Sequence, residues 1–367
     1  VPRFDVSSRT GPPWTTRVVV QTGALAQAAA TVARTYRGRR GVVVSDARVA
    51  RLYAGKLVRL LERGGLRTVL LRFPAGERAK TRETKSLLED RLAALGVGRD
   101  TVVIALGGGV TGDLAGFLAA TWHRGVPVVQ IPTTTLAMID AALGGKTGVD
   151  LTLGKNLVGA FHPPESLWAD ISVLRTLPER TFRSGLAEAV KIAAALDAPL
   201  FAFLEANTSR ILARGDGVMT RLVARCLELK GQVVADDARD AGRRAVLNFG
   251  HTAAHALETA SAYRLPHGDA VAIGLVAEAR LAERLTGLPA ADADRIEALL
   301  AALGLPTRPP RRLDRSRLRS AMTRDKKTRA GVARCVVPRA LGRMLPGPDP
   351  SVAIDASRDL LPFLHRV

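Results

Sequence analysis

Short apolar runs and amphipathic stretches take turns through the first half of the chain. Val18-Val19-Val20 precedes a helical pattern over residues 24–34, and Val42-Val43-Val44 precedes another over 48–63. Val69-Leu70-Leu71 leads to a third over 82–95; Val102-Val103-Ile104-Ala105-Leu106 leads through one more helix to a run at 126–131, closed by Pro132. Runs that are apolar throughout, rather than alternating, predict strands buried on both faces. The order predicts an α/β domain, a parallel sheet covered by helices on both sides, reaching to about residue 172. Pro127 has no N–H for a ladder and predicts an edge position or an irregular entry for the last run.

Beyond residue 179 the period changes to that of helices, with amphipathic stretches near 186–195, 218–234, 253–260, 269–284 and 292–303. The change places a domain boundary near 174–178, so that residues 1–175 form the α/β domain and 176–367 an all-α domain. The prolines at 306–310 read as a loop, and no internal repeat is visible.

With 367 residues, 47% of them hydrophobic, the chain has enough apolar surface for two domains and is not intrinsically disordered. No stretch approaches the ~20 apolar residues of a bilayer span. The first sixteen residues carry Arg3, Asp5, Arg9 and three prolines where a signal peptide has an apolar core, so a cytoplasmic protein without a membrane partner is expected. Cys226 and Cys335 lie in apolar segments and read as buried thiols. The net charge of +20 raises the question of nucleic acid, but the basic residues are spread along the chain and aromatics are only 4%, which leaves no stacking platform. No nucleic-acid partner is expected. Arginine is the default cation, and the nine lysines therefore mark positions where a compact, flexible ammonium is needed.

Gly107-Gly108-Gly109-Val110-Thr111-Gly112-Asp113 follows a strand and opens a helix, the spacing at which backbone N–H groups approach a pyrophosphate. It is not on the first strand, and no acidic residue ends the next one, so an ordinary Rossmann assignment does not fit. Glu188 and Lys191 fall three apart on one predicted helix face. His251 and His255 fall four apart on another, with His267 following in His267-Gly268-Asp269. Two imidazoles and a carboxylate suit a catalytic zinc site with positions left open, and spacing alone does not decide which histidines take part. Further polar and cationic groups recur in glycine-marked or helical segments: Arg124, Asp140 with Lys146, Lys155-Asn156, Lys230, Arg244 with Asn248, and Asp325-Lys326-Lys327. If they converge, the pocket suits a small molecule carrying both phosphate and carboxylate.

These motifs, together with Pro132-Thr133-Thr134, Gly144-Gly145-Lys146-Thr147 and Asn248-Phe249-Gly250-His251-Thr252, resemble the 3-dehydroquinate synthases among the sugar-phosphate cyclases, over about residues 42–342. The resemblance implies an NAD-binding α/β domain, a helical metal-binding domain and a homodimer. It implies a metal, Zn2+ or Co2+, on Glu188, His251 and His267, with His255 left to move a proton or touch phosphate. For NAD it implies Asp46, Glu77, Lys80, Gly108, Gly109, Val110, Asp113, Thr133, Thr134, Lys155, Thr176 and Leu177. For the substrate, a sugar phosphate acid, it implies Asp140, Lys146, Asn156, Lys191, Lys230, Arg244, Asn248 and a lysine of the pair Lys326-Lys327, with Arg124 on the phosphate, in the same or a neighbouring subunit. The implied reaction oxidises an alcohol with NAD+, eliminates phosphate, returns the hydride and closes a ring by intramolecular aldol addition, with no net redox change.

Some positions depart from the family pattern. Asp240 stands where glutamate is common, as a shorter candidate for proton transfer. Thr181 replaces a glutamate, residues 150–153 read Asp-Leu-Thr-Leu, and Ala253-Ala254 replaces Phe-Gly before His255. The alternative substrates are sedoheptulose 7-phosphate or an amino analogue, as for a cyclase of secondary metabolism; a metal-dependent polyol dehydrogenase is a third reading.

Overall fold

The computed structural model describes residues 1–152, 154–323, 333–347 and 349–365. It comprises two units: Val1–Leu177 with Met219–Gly231, and Pro178–Val218 with Gln232–Val367.

The first unit is built on β1 (Arg3–Ser7), β2 (Thr15–Gln21), β3 (Arg40–Asp46), β4 (Arg67–Phe73), β5 (Thr101–Gly107), β6 (Val128–Pro132) and β9 (Ser166–Asp170), with β7 (Lys146–Leu151) and β8 (Gly154–Phe161) forming a separate antiparallel hairpin. The sheet order is β1-β2-β9-β6-β5-β3-β4. All its pairings are parallel except β1 with β2. Alternate residues of each strand face opposite ways, and each face has its own core. Val43, Ile104 and Val129 pack with α1 (Ala24–Thr35) and α3 (Gly55–Arg63), the latter continuing a turn begun by α2 (Ala47–Val49). Val44, Val103 and Val128 pack with α4 (Arg82–Ala94) and α5 (Gly109–Thr121).

Of the two expectations for Pro127, the edge position is corrected by its place in the structure. β6 is the middle strand of seven, and Pro127 stands just before it, where its carbonyl accepts the Val103 N–H at 2.9 Å and its missing N–H removes no rung.

The second unit is helical, with α6 (Glu179–Leu196), α7 (Ala198–Leu212), the ends of α8 (Asp216–Asp236), α9 (His251–Ala260), α10 (His267–Leu285), α11 (Ala290–Ala302), α12 (Arg315–Thr323) and α13 (Leu361–His365). The departure from an all-α composition is two short sheets, β10 (Ala333–Val336) with β13 (Ser351–Ile354) and β11 (Pro338–Ala340) with β12 (Arg343–Met344). Cys226 and Cys335 are both buried, as expected. Among the described residues no helix is long and apolar enough to cross a membrane.

Candidate active site

In the first unit β5 ends at Gly107, and Gly108 is the N-cap of α5. A Cβ on Gly107 would stand 2.2 Å from Thr111 Oγ1, so only glycine lets strand and helix approach this closely. No side chain caps α5, which leaves its first N–H groups aimed outward around Gly109 and Val110. Thr133 N–H donates to the Gly107 carbonyl at 2.9 Å, and Thr134 Oγ1 accepts the Ala137 N–H at 3.2 Å. Thr133 Oγ1 is buried without a hydrogen-bond partner among the described residues, which suits a site completed by a polar ligand.

Beside this turn the structure gathers groups from distant parts of the sequence. Lys80, 3% exposed, places Nζ 2.5 Å from Asp113 Oδ2 and 2.5 Å from Asn156 Oδ1. Asp150 lies 4.0 Å away, and its own N–H donates to the Lys80 carbonyl at 2.8 Å. Burial works against the Lys80 charge, but Asp113 outweighs it and holds the amine above the usual lysine range. Asn156, at φ +54°, donates its N–H to Asp150 Oδ1 at 2.9 Å, and Lys155 pairs with Glu77 at 3.5 Å. Residues 77, 80, 113, 155 and 156 are thereby one network that secures the β7–β8 hairpin.

Elsewhere in this unit, Asp46 caps α2 by accepting the Arg48 and Val49 N–H groups. Thr176 hydrogen-bonds the Tyr53 hydroxyl, and Leu177 N–H donates to the Leu174 carbonyl. Lys230 is ion-paired to the Asp140 carboxylate and donates to the Asp140 carbonyl at 2.5 Å. Lys146 is exposed at the start of β7. Arg124 is also exposed, on the turn after α5, about 18 Å along the helix from the glycine turn at 1.5 Å per residue. Within one chain it stays apart from that network.

In the second unit α6 carries Glu188 and Lys191 inward, each 1% exposed, with Nζ 2.5 Å from Glu188 Oε2. Glu188 Oε1 lies 3.6 Å from His251 Nε2 and 3.1 Å from His267 Nε2. One ligand atom from each of the three residues lies within 4.8 Å of the others. Tetrahedral ligands about 2.1 Å from a metal are about 3.4 Å apart, so this donor set and spacing fit a Zn2+-like ion with open positions. The outer nitrogens are also held: His251 Nδ1 faces the Phe249 carbonyl at 3.2 Å, and His267 Nδ1 faces Glu258 Oε2 at 3.5 Å. Burial opposes a charge on His267, but hydrogen bonds to Glu188 and Glu258 override it and push the imidazole up to about 10. A metal therefore has to displace a proton to bind there. His255 is exposed one turn beyond His251, ring centroids 5.6 Å apart.

Asp237 organises the segment that follows α8. It accepts N–H bonds from Ala241 and Gly242, both at 2.8 Å, and from Arg244 at 3.0 Å. Burial raises this carboxyl, but those bonds and the Arg244 charge outweigh it and hold it below the usual range. Asp240 adopts φ +57° within this turn, Arg244 is buried, and Asn248 ends the 3-10 turn that leads to His251. Lys326 and Lys327 lie outside the described residues.

Glu258 and Asp237 belong to none of the sequence motifs. Glu258 had a findable signal, since positions 251, 255 and 258 share one helix face. Asp237 had none, because a carboxylate serving a backbone turn looks like any helix-end acid.

Residues 70–184 match the family model described as 3-dehydroquinate synthase N-terminal, and residues 185–328 match 3-dehydroquinate synthase C-terminal. The 3-dehydroquinate synthase of Pelobacter propionicus is 45% identical over 304 residues, 83% of this chain and 84% of that one. That of Symbiobacterium thermophilum is 43% identical over 354 residues, 95% and 98% of the two chains. Among solved structures, 2-deoxy-scyllo-inosose synthase complexed with carbaglucose-6-phosphate, NAD+ and Co2+ superposes with a TM-score of 0.89 at 25% identity, covering 99% of this chain and 98% of that one. The 2-epi-5-epi-valiolone synthase of Streptomyces hygroscopicus, with NAD+ and Zn2+ bound, gives 0.86 at 30% identity over 98% and 99%. The chain belongs to the 3-dehydroquinate synthase family.

Proposed function

We propose that the chain converts 3-deoxy-arabino-heptulosonate 7-phosphate into 3-dehydroquinate and phosphate, using catalytic NAD+ and a divalent metal, Zn2+ or Co2+. The observation that carries this reading is the Glu188, His251 and His267 cluster, set in a chain whose relatives over most of its length are 3-dehydroquinate synthases. When bound, NAD+ takes and returns a hydride, and the metal polarises a substrate oxygen.

The remaining chemistry belongs to the chain. Glu188, His251 and His267 hold the metal. The first N–H groups of α5 and the Thr133–Thr134 pair face the dinucleotide phosphates, and Lys80 with Asp113 fixes the edge of that site. His255, exposed on α9, moves a proton, with Asp240 a second candidate. Lys146, Lys191, Lys230 and Arg244 supply the cations that a substrate with two anionic groups requires, while Asp140, Asn156 and Asn248 orient its hydroxyls. The departing phosphate, held by these cations, is placed to accept the proton released beside it.

The test is phosphate release by the purified protein with NAD+ and Co2+. Release from 3-deoxy-arabino-heptulosonate 7-phosphate and not from sedoheptulose 7-phosphate supports the reading; the reverse preference overturns it. We further infer a homodimer acting in the cytoplasm, in which exposed Arg124 serves the partner's phosphate site; sedimentation of the parent and of Arg124→Ala, with KM for both, tests the assignment.

A further inference from the structure

Glu278 is a carboxylate at 0% exposure in the second unit, with no part in the chemistry assigned above. It lies on α10, and its two oxygens reach the start of α9. Oε2 accepts the Gly250 N–H at 2.6 Å and Oε1 accepts the Ala253 N–H at 2.9 Å. These donors stand on either side of His251, the first residue of α9. The N-cap position cannot serve them, because Gly250 is in the left-handed region at φ +82° and has no side chain.

The approach of the two helices is prepared one turn earlier. A Cβ on Gly274 would stand 2.0 Å from the Gly250 carbonyl oxygen, and one on Gly250 would stand 2.9 Å from the Leu275 side chain. Gly274 and Glu278, four apart on α10, therefore act on the same backbone: the first admits it and the second grips it. Burying a carboxylate costs several kcal/mol, offset here by charge-assisted bonds to two N–H groups and by the positive end of α9.

That grip bears on the metal cluster through geometry. His251 Nε2 reaches Glu188 only if the peptide units around residue 251 are correctly turned, and its Nδ1 is already tied to the Phe249 carbonyl. We infer that Glu278 is a positioning residue for the metal centre, clamping the backbone on both sides of His251 and so aiming Nε2 at the site shared with Glu188 and His267. This rests on the metal reading given above, and it adds to the parts that the centre needs a buried acid on α10, the helix that also carries His267.

The experiment uses Glu278→Gln, which keeps size but turns one acceptor into a donor, and Glu278→Asp, which keeps the charge but retracts it. A core truncation elsewhere in the unit, Leu299→Ala on α11, controls for loss of stability. Three quantities are read on the full chain: Co2+ affinity by competition with a chelating dye, the visible spectrum of bound Co2+, and the melting temperature of the metal-free protein. We expect Glu278→Gln to lose about 10–100-fold in Co2+ affinity with an altered spectrum, Glu278→Asp to lose less, and Leu299→Ala to melt lower while its affinity stays within about twofold of the parent. Variants that melt lower yet bind Co2+ like the parent, with the same spectrum, reduce Glu278 to a helix cap and overturn the inference. Failure of both Glu278 variants to fold overturns it as well, by making the residue a requirement of the fold. If the parent itself takes up no Co2+, the metal reading falls first and this inference with it.

Discussion

Replacing Lys80 by methionine isolates the most tightly built electrostatic feature of the first unit. The ammonium sits 2.5 Å from Asp113 and from Asn156 and is itself 3% exposed, so the substitution leaves the Asp113 carboxylate without its cation and facing Asp150. Removing one partner of a buried ion pair costs about 3–5 kcal/mol. The Asp113 side chain keeps 22% exposure and can recover some hydration, and exposed Asn156 can turn to water, which puts the expectation at about 3 kcal/mol. All three tryptophans, Trp14, Trp122 and Trp168, belong to this unit, so fluorescence-monitored urea unfolding reports on it selectively. With a slope of about 3 kcal/mol per molar urea, the midpoint should fall by about 1 M. Adding Asp113→Asn removes the stranded charge and should restore about 2 kcal/mol. The sign of the pH dependence follows from the raised value of Lys80: its contribution is complete below the unfolded lysine value of about 10.4 and is lost only as pH rises through the higher folded value. The lysine's own share of the gap should therefore be the same at pH 7 and pH 9, while Asp113, which burial already raises, is pushed further up once its cation is gone, so the gap should narrow as pH falls and that carboxylate takes a proton. A midpoint shift under about 0.3 M, or a double variant no more stable than the single one, refutes the reasoning.

Three further outcomes are expected. Gly107→Ala drives a Cβ to 2.2 Å from Thr111 and should weaken NAD+ binding at least about tenfold, whereas Gly112→Ala meets only the flexible end of Gln130, at 2.9 Å, and should cost far less; calorimetric titration of the pair checks the order. Asp237→Asn weakens three backbone bonds to a charged acceptor and should destabilise the second unit by about 2 kcal/mol while lowering kcat/KM. Because its folded value is depressed, that contribution is present above the unfolded value of about 3.9 and should vanish as pH falls through the folded one, as melting curves of parent and variant will show by converging in acid. Chelation should abolish activity, leave the tryptophan-reported unfolding of the first unit unchanged, and be reversed by one equivalent of Zn2+ or Co2+ per chain.

The parts of the fold legible in the sequence are those where one environment acts on a whole segment. Strands β3, β5 and β6 are covered on both faces, so they read as unbroken apolar runs. β1, with sequence Arg-Phe-Asp-Val-Ser, and the glycine-interrupted β7–β8 hairpin keep partly exposed faces, and their patterns carry no such signature. Pro127 left an edge position and an irregular entry both open, because sequence shows the missing N–H but not that the residue stands just outside the strand. At the candidate site, histidine scarcity drew attention to His251, His255 and His267, while the choice of His251 and His267 as partners of Glu188 came from the family resemblance. Glu258 is marked only by sharing a helix face with His251 and His255, and Glu278 is not marked at all, because a glutamate on an amphipathic helix looks solvated until another helix closes over it. The carboxylates that hold the histidines are thus the least readable layer of the site.

The most direct test of the account is a crystal structure of the protein grown with Co2+, with data collected at the metal's absorption edge. The account predicts one strong anomalous peak per chain, about 2.0–2.2 Å from Glu188 Oε1, His251 Nε2 and His267 Nε2. A peak held by other residues, or Glu188 paired to Lys191 with no metal beside it, contradicts it.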